Sequence, residues 1–425
     1  MDIHAWLMEE KISAEVYDAE MLLAGFLDEM EKGLNGTDSS LAMLPSYIGI
    51  SGELPASAHV AVIDAGGTNL RIGLARVEAG GAVELTGVVR QEMPGRDRET
   101  GADEFYAVLA DALVPFADQF ERIGFCFSYP TSIQPDLDGR LLSWTKGIRI
   151  PDLVGTCVGT GLLQALADRS VHGKKVVVLN DTVAALLAGR AECDAPSYVG
   201  FILGTGTNTA YLEQNGSIGK LNPRQSTGAQ VINVESGAFS RFERGELEQA
   251  LDARRDDAGQ HVFEKTLSGA YLGALTLELL KALAEQQVFS PAGSTTLAGM
   301  QELSTMHIDN LTAGNGRETG VLGSDAFTDS DRTVMKTVFS ALVDRASLFT
   351  AVNIAAAVIK CGEGHDPERP VCVNIDGSTY YKTTGMAEAV QARLSHILNA
   401  RDLHYKCVHV EDAPAVGAAM AALSM

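Results

Sequence analysis

Apolar residues at Val16, Leu22, Leu23, Phe26, Leu27, Met30 and Leu34 recur at helical spacing with acidic residues between them, which predicts an amphipathic helix over Val16 to Leu34 that docks on a core. A polar stretch follows, GTDSS and then SGELPAS, and the period changes. His59 to Asp64 is a short apolar run with β-branched residues, a glycine pair comes next, and Leu70 to Val77 is apolar again: strand, tight turn, strand. Glu84 to Gln91 predicts a third strand, Ala102 to Phe120 a helix, Arg122 to Ser128 and Lys175 to Leu179 two more strands, and Thr182 to Ala191 a helix. Strands and helices in alternation are the mark of an α/β protein. The later chain is more helical, with long segments at Leu267 to Gln286 and Thr333 to Lys360, while Ser290 to Ser324 is rich in Gly, Ser and Thr and carries no clear period. Val371 to Ile375 reads as a strand ending in Asp376-Gly377-Ser378, and Ala415 to Leu423 as a small-residue helix suited to close packing.

The opening pattern occurs twice. VIDAGGTNLRIGLARV (Val62 to Val77) and FILGTGTNTAYLE (Phe201 to Glu213) are each an apolar strand, a glycine loop ending Gly-Thr-Asn, and a second apolar strand. The triplets begin at Gly67 and Gly206, so a whole α/β unit fits between them. The repeat has the period of a domain, and the expectation is an internally duplicated protein.

Composition narrows the function. A chain of 425 residues with 46% hydrophobic and 21% charged residues can bury a large core and implies two or three domains. The formal charge of −22 argues against nucleic acid or an anionic membrane surface as partner. A small phosphorylated ligand would need local positive potential, from backbone N–H groups, a few cations or Mg²⁺. Six cysteines stand singly, without a CxxC pair or histidines at zinc spacing, which predicts reduced structural thiols. The N-terminus, MDIHAWLMEEKISAEV, has no signal-peptide pattern, and the expectation is a soluble cytoplasmic protein without a membrane anchor.

Four constellations could carry chemistry. In the first loop, Asp64, Gly66, Gly67, Thr68, Asn69 and Arg71 combine bare backbone for an anion, side-chain donors, a fixed positive charge and a carboxylate suited to Mg²⁺. A plain hairpin turn is the bland alternative. The second loop, Gly204, Thr205, Gly206, Thr207 and Asn208, weighs against it, because two such loops facing across a cleft could hold the phosphates of a nucleotide. Neither loop fits a Walker or dinucleotide pattern. Asn180-Asp181 closes the strand KKVVVL and opens a helix, where an acidic cap is common but where Asp181 could also take a proton from a substrate hydroxyl. Between Phe125 and Gly147, Ser128 and the pair Thr145-Lys146 bracket a turn-rich segment suited to a hydroxyl-rich ligand, though an ordinary surface loop reads the same. Glu235 and Glu264 offer carboxylates that can accept from vicinal hydroxyls, although either alone would most often be solvated.

Taken in order, the GGTNxR loop, SxP…LxxWTKG, the strand ending NDT, GTGTN, NxExGAF and FEKxxSGxYLG resemble the hexokinase family of the eukaryotic hexokinase and glucokinase type. The similarity extends to EMEKGL and MLPSYI near the N-terminus and VNIDGSTYYK near the C-terminus, so it spans nearly the whole chain. The resemblance implies the two-domain actin-like (ribonuclease H-like) ATPase fold, with duplicated α/β lobes around a central cleft. It places a small domain at 57–181 plus 413–425 and a large domain at 1–56 plus 182–412. It implies ATP- and Mg²⁺-dependent phosphoryl transfer to the 6-hydroxyl of glucose or a related hexose, feeding glycolysis. Asp181 would be the general base, assisted by Lys146, with Ser128, Thr145, Lys146, Asn180, Asn208, Glu235 and Glu264 around the sugar. Asp64 would organise Mg²⁺ through water. Gly66, Gly67, Thr68, Asn69, Arg71, Gly204, Thr205, Gly206 and Thr207 would hold phosphates, and Asp376, Gly377 and Ser378 would meet the adenosine.

Two departures stand out. Where the family commonly has EDGSGKGAA, this chain has Glu411-Asp412-Ala413-Pro414-Ala415-Val416-Gly417-Ala418-Ala419, and Ser236 stands where an aromatic residue is common, which points to an altered pocket wall and sugar preference. A catalytically silent, sugar-responsive regulator on the same fold is the alternative, and the intact Asp181, Lys146 and both loops argue against it. A chaperone-like ATPase on this fold would lack the SxP…WTKG and NDT segments.

Overall fold

The computed structural model describes residues 1–50, 57–67, 69–78, 82–221 and 227–425. The polar stretch at 51–56 and the phosphate-loop candidate Thr68 lie outside the described residues.

Two sheets carry the architecture. One has five strands in the order Val83–Glu92, Asn69–Glu78, Ser57–Ala65, Arg122–Phe127, Lys175–Leu179. The other runs Leu44–Pro45, Ala229–Asn233, Thr207–Gln214, Tyr198–Leu203, Val371–Asp376, Tyr405–Val408. Leaving aside the two-residue edge Leu44–Pro45, each sheet follows the order third, second, first, fourth, fifth along its own stretch of chain. In each, the first three strands pair antiparallel and the last two join in parallel. The duplication visible as two Gly-Thr-Asn loops is thus a duplication of sheet topology, in the two-lobed actin-like arrangement.

The two halves are laced together by exchanged helices. The strand Lys175–Leu179 feeds the helix Asp181–Glu192, which packs on the other lobe's sheet, against Tyr198–Leu203 and Val371–Asp376. Correspondingly, Tyr405–Val408 leads to the helix Ala413–Leu423, which packs on Arg122–Phe127 and Ser57–Ala65. Where the two helices meet, only small residues fit. A Cβ at Gly417 would lie 1.9 Å from the Ala184 carbonyl oxygen, and where the C-terminal helix meets the sheet one at Gly124 of the strand Arg122–Phe127 would lie 1.9 Å from that of Ala418. The small-residue pattern of the C-terminal segment therefore encodes close approach.

Each lobe has its own core. In the smaller one, Phe105, Leu109 and Leu113 of the helix Ala102–Leu113, with Leu162 and Leu166 of Val158–Ala167, cover Ile63, Ile72 and Phe125 of the sheet. The larger lobe is built around Asp329–Cys361, a 33-residue helix opened by a Thr328–Asp331 capping box and closed by Gly362 in the left-handed region. By length and composition it could cross a membrane, but 89% of its most apolar window is buried inside the protein. The six cysteines are free.

Several boundaries differ from expectation for local reasons. The first amphipathic helix is Ala19–Leu34, because Asp18 caps it by accepting from the Met21 amide and Val16 belongs to a separate 3-10 turn. The helix expected to reach Phe120 ends at Leu113, where Pro115 turns the chain into a 3-10 segment over Val114–Gln119. Leu267 to Gln286 is split at Ser268 into Val262–Leu267 and Gly269–Glu285. Ser290 to Ser324 holds two helices, Pro291–Gly299 and Thr305–Ala313, with caps at Ser290 and Ser304.

Candidate active site

The first glycine loop joins Ser57–Ala65 to Asn69–Glu78 and is closed by the Gly66 amide, which donates to the Asn69 carbonyl (3.0 Å). Tyr129 Oη donates to the Gly66 carbonyl (2.6 Å), so the loop is held from behind by the segment that follows Arg122–Phe127. Lys146 crosses its front. The Lys146 backbone is left-handed (φ 58°), its Nζ donates to the Ser128 carbonyl (2.9 Å), and the ammonium stands 5.4 Å from the Tyr129 ring centre. Its methylene stem lies so near Gly67 that a Cβ there would come within 2.7 Å of Lys146 Cδ. Gly67 is therefore needed to bring the lysine over the loop.

The second loop is closed in the same manner, by the Gly204 amide donating to the Gly206 carbonyl (2.9 Å). Thr379 Oγ1 (2.7 Å) and the Gly269 amide (2.9 Å) both donate to the Gly204 carbonyl. Gly377 (φ 113°) passes close to the loop, where a Cβ would sit 2.3 Å from the Leu203 carbonyl oxygen. The Asp376-Gly377-Ser378 segment is thus fastened to the second loop, and Asp376 Oδ1 accepts from the Gly377 amide (2.6 Å).

Not every expected phosphate contact is free to make one. The amides of Gly66 and Gly204 close their own turns. Thr207 is buried, with its hydroxyl donating to the Ile202 carbonyl (2.9 Å) and its amide to Glu264 Oε2 (3.0 Å). Thr207 therefore holds Glu264 through its amide, and its hydroxyl is engaged by the preceding strand. Gly67, Thr205 and Gly206 remain at the loop tips, and Thr205 is exposed.

On the sugar side, a chain of amide hydrogen bonds sets the geometry. Asn208 Oδ1 accepts from the Thr209 (2.7 Å) and Ser236 (3.2 Å) amides, which turns its Nδ2 toward Asn233 Oδ1 (2.7 Å). Asn233 Nδ2 in turn donates to Glu235 Oε1 (2.8 Å), and Glu235 adopts a left-handed backbone (φ 58°). Asn180 caps the helix Asp181–Glu192 through its Oδ1, which accepts from the Thr182 amide (2.8 Å) and leaves its Nδ2 available. Asn180, Asn233 and Glu235 line, with Ser46, Tyr129 and Thr131, a cavity of about 20 Å³ between the lobes. Thr145 is exposed and precedes Lys146 in the chain, and Ser128 is half-buried. Ser236 follows Glu235 in the chain. Its side chain is fully buried and turns away from the cleft, toward Thr209 and Asn353.

Electrostatics separate the carboxylates by role. Burial pushes Asp64 up to about 6, with Asp181 and Asp412 adding to the rise and Arg71 and Lys146 opposing it. Burial also raises Glu235, assisted by Asp181 and Glu264, and raises Glu264 against the opposing pull of its Thr207 hydrogen bond, His261 and Lys146. Asp181, at the start of the helix Asp181–Glu192, therefore acts electrostatically on both the loop aspartate and the sugar-side glutamate. Around Asp64, three carboxylates face two cations. Arg71 is bonded to Asp412 and lies 3.9 Å from Asp64, so its charge is already shared. Among the described residues no three carboxylate, histidine or cysteine side chains cluster closely enough to hold a metal by themselves, so a divalent cation would meet Asp64 together with the phosphates it accompanies.

Sequence reasoning missed Tyr129, Asn233 and the pairing partner Asp412. Tyr129 sits in SYP between two motif residues, and its hydroxyl reaches a loop carbonyl that no periodicity reveals. Asp412 caps the helix Ala413–Leu423 with left-handed backbone, so the departure from a glycine-rich turn still delivers a carboxylate to Arg71.

Comparison with known proteins agrees with this geometry. Two sequence profiles described as hexokinase match residues 6–191 and 198–424. Hexokinase-2 of Oryza sativa subsp. japonica is 31% identical over 92% of this chain and 84% of its own. Hexokinase of Brugia malayi is 28% identical over 97% of this chain and 75% of its own. Among solved structures, hexokinase from Schistosoma mansoni complexed with glucose superposes with a TM-score of 0.78 at 25% identity, covering 99% of this chain and 98% of that one. A ROK hexokinase from Thermus thermophilus shares the fold alone, with a TM-score of 0.53 and 18% identity over 86% of this chain and 97% of that one.

Proposed function

The chain belongs to the hexokinase family, and from that premise we propose that it transfers the terminal phosphoryl group of ATP to the 6-hydroxyl of glucose or a related hexose. The observation that carries this reading is the position of Asp181. It opens a helix at the lobe junction, and its charge raises both Asp64 on the phosphate side and Glu235 on the sugar side. In-line transfer to a hydroxyl requires a base beside the acceptor oxygen and positive charge around the phosphates.

In this reading Glu235, Glu264 and the amides of Asn208, Asn180 and Asn233 orient the sugar hydroxyls. Raised carboxyls in a buried pocket accept strongly once ionised, and the amide chain holds Glu235 in one rotamer. The 6-hydroxyl proton passes to Asp181 as its oxygen bonds to the terminal phosphorus and the bond to the departing ADP oxygen breaks. Lys146, pinned over the first loop, and Arg71 lie where charge accumulates on the transferred group. Asp64 would hold Mg²⁺, which supplies the remaining positive charge for the phosphates. The Tyr129, Trp144 and Phe127 rings, with centres 4.7 to 5.8 Å apart, wall the small lobe behind the site and limit water, the competing nucleophile.

The test crosses several hexoses with ATP, ADP and polyphosphate in a phosphorylation screen and locates the product phosphate by ³¹P and ¹³C NMR. Sugar 6-phosphate formed from ATP is the expected result. Absence of any hexose phosphate, or transfer to another hydroxyl, would overturn the proposal.

A further inference from the structure

Behind the sugar side, Thr209, Ser236 and Asn353 are almost completely buried, at 1%, 0% and 1% exposure, and among the described residues their side-chain termini bond only to one another. Thr209 lies on the strand Thr207–Gln214, Ser236 follows Glu235, and Asn353 belongs to the helix Asp329–Cys361. Hydrogen-bond accounting fixes the direction. Thr209 Oγ1 has one proton and donates it to Asn353 Oδ1 (2.8 Å), so the 3.0 Å contact between Thr209 and Ser236 must be donated by Ser236. Asn353 Nδ2 donates to Ser236 Oγ (3.1 Å) and closes a ring in which each residue gives one hydrogen bond and accepts one. In a buried setting such a ring resists disruption, because opening any link strands a polar group out of reach of water.

The ring is continuous with the sugar side. The Ser236 amide, like that of Thr209, donates to Asn208 Oδ1, and Asn208 leads through Asn233 to Glu235. Glu235 sits in the left-handed region, a conformation that a non-glycine residue holds only when its neighbours impose it. We infer that Asn353 is a positioning residue for sugar recognition. From the central helix of the large lobe it locks Ser236, and Ser236 locks the backbone of Glu235 and the amide orientation of Asn208. This assigns a purpose to Ser236, a polar tie from the backbone beside Glu235 to the central helix. The inference rests on the hexose reading above.

The experiment compares four full-length proteins: wild type, Asn353→Leu, Asn353→Asp, and the triple variant Thr209→Val/Ser236→Ala/Asn353→Leu. Steady-state kinetics are measured for glucose and for ATP, and thermal unfolding is followed in parallel. Glucose affinity is also read without turnover, from the fluorescence of Trp144 in a Trp6→Phe background. Asn353→Leu is expected to raise the KM and the Kd for glucose about tenfold, with the KM for ATP unchanged and kcat within about twofold. Asn353→Asp, which keeps the acceptor for Thr209, should recover part of the loss. In the triple variant no buried polar group of the ring is left unpaired, so stability should return while the weak glucose binding persists. Return of wild-type glucose KM in the triple variant would reduce the ring to packing and overturn the inference. So would equal damage to glucose and ATP parameters in Asn353→Leu. Wild-type protein that turns over hexose while Asn353→Leu keeps wild-type affinity overturns the inference alone; wild-type protein that neither binds nor phosphorylates hexose overturns the functional reading beneath it as well.

Discussion

Replacing Asp64 by Asn should stabilise the ligand-free protein while abolishing its activity. Asp64 is 8% exposed and stands among Asp181, Asp412, Arg71 and Lys146, and burial with two acidic neighbours lifts its carboxyl from 3.8 to about 6. The sign follows from proton counting. Below the unfolded value both states are protonated and Asp64 contributes nothing. As pH rises toward 6 the unfolded chain has released a proton that the folded chain still holds, so stability falls through this window and is level above it. About two units correspond to about 3 kcal/mol of destabilisation at pH 8. For 425 residues melting as one unit, at an entropy of ~2 cal/mol/K per residue, that amounts to about 3 °C in Tm. Asparagine imitates the protonated acid and should recover it. Scanning calorimetry of both proteins in EDTA at pH 4 and pH 8 provides the check. The variant should melt higher by about 3 °C at pH 8, and its advantage should shrink to below about 1 kcal/mol at pH 4. A variant that is less stable at pH 8, or equally shifted at both values, would refute the claim that Asp64 holds charge in a strained setting for an incoming cation.

Further outcomes follow from the same geometry. With Asp64 protonated up to about 6, the KM for Mg·ATP should fall as pH rises from 5 through 6 and then level, whereas a flat profile would exclude Asp64 from the nucleotide side. Gly67→Ala puts a Cβ 2.7 Å from Lys146 Cδ and should lower kcat/KM for ATP about tenfold with little change in melting, read by steady-state kinetics. Gly417→Ala drives a Cβ to 1.9 Å from the Ala184 carbonyl oxygen and should cost about 3 kcal/mol by parting the two exchanged helices, measured by urea unfolding.

Much of this arrangement is legible in the sequence. Local period identified the hairpins around both loops, because strand alternation and a glycine turn are short-range properties, and the repeated Gly-Thr-Asn announced the duplication that the strand orders display. Asp181 was legible too, since a strand end running into a helix start is local. What escaped was non-local or compensated. The short edge Leu44–Pro45 and the strand Tyr405–Val408 are too brief to show a period, and they exist only by pairing with Ala229–Asn233 and Val371–Asp376. The helices within Ser290 to Ser324 hid behind poor helix formers, although Ser290-Pro291 and Ser304 were readable caps. The loop motif does not encode that the Thr207 side chain faces inward and bonds the Ile202 carbonyl while Thr205 is exposed. Asp412 and Asn353 reach the site from 341 and 144 residues away from their partners Arg71 and Thr209, beyond any local pattern.

The most direct measurement of the account is made on Asp181→Ala. Calorimetric titration with glucose and a coupled assay for sugar 6-phosphate, run side by side with wild type, separate binding from proton transfer. The account predicts glucose affinity within about threefold of wild type and kcat lower by about 10³-fold. Turnover within tenfold of wild type would contradict it.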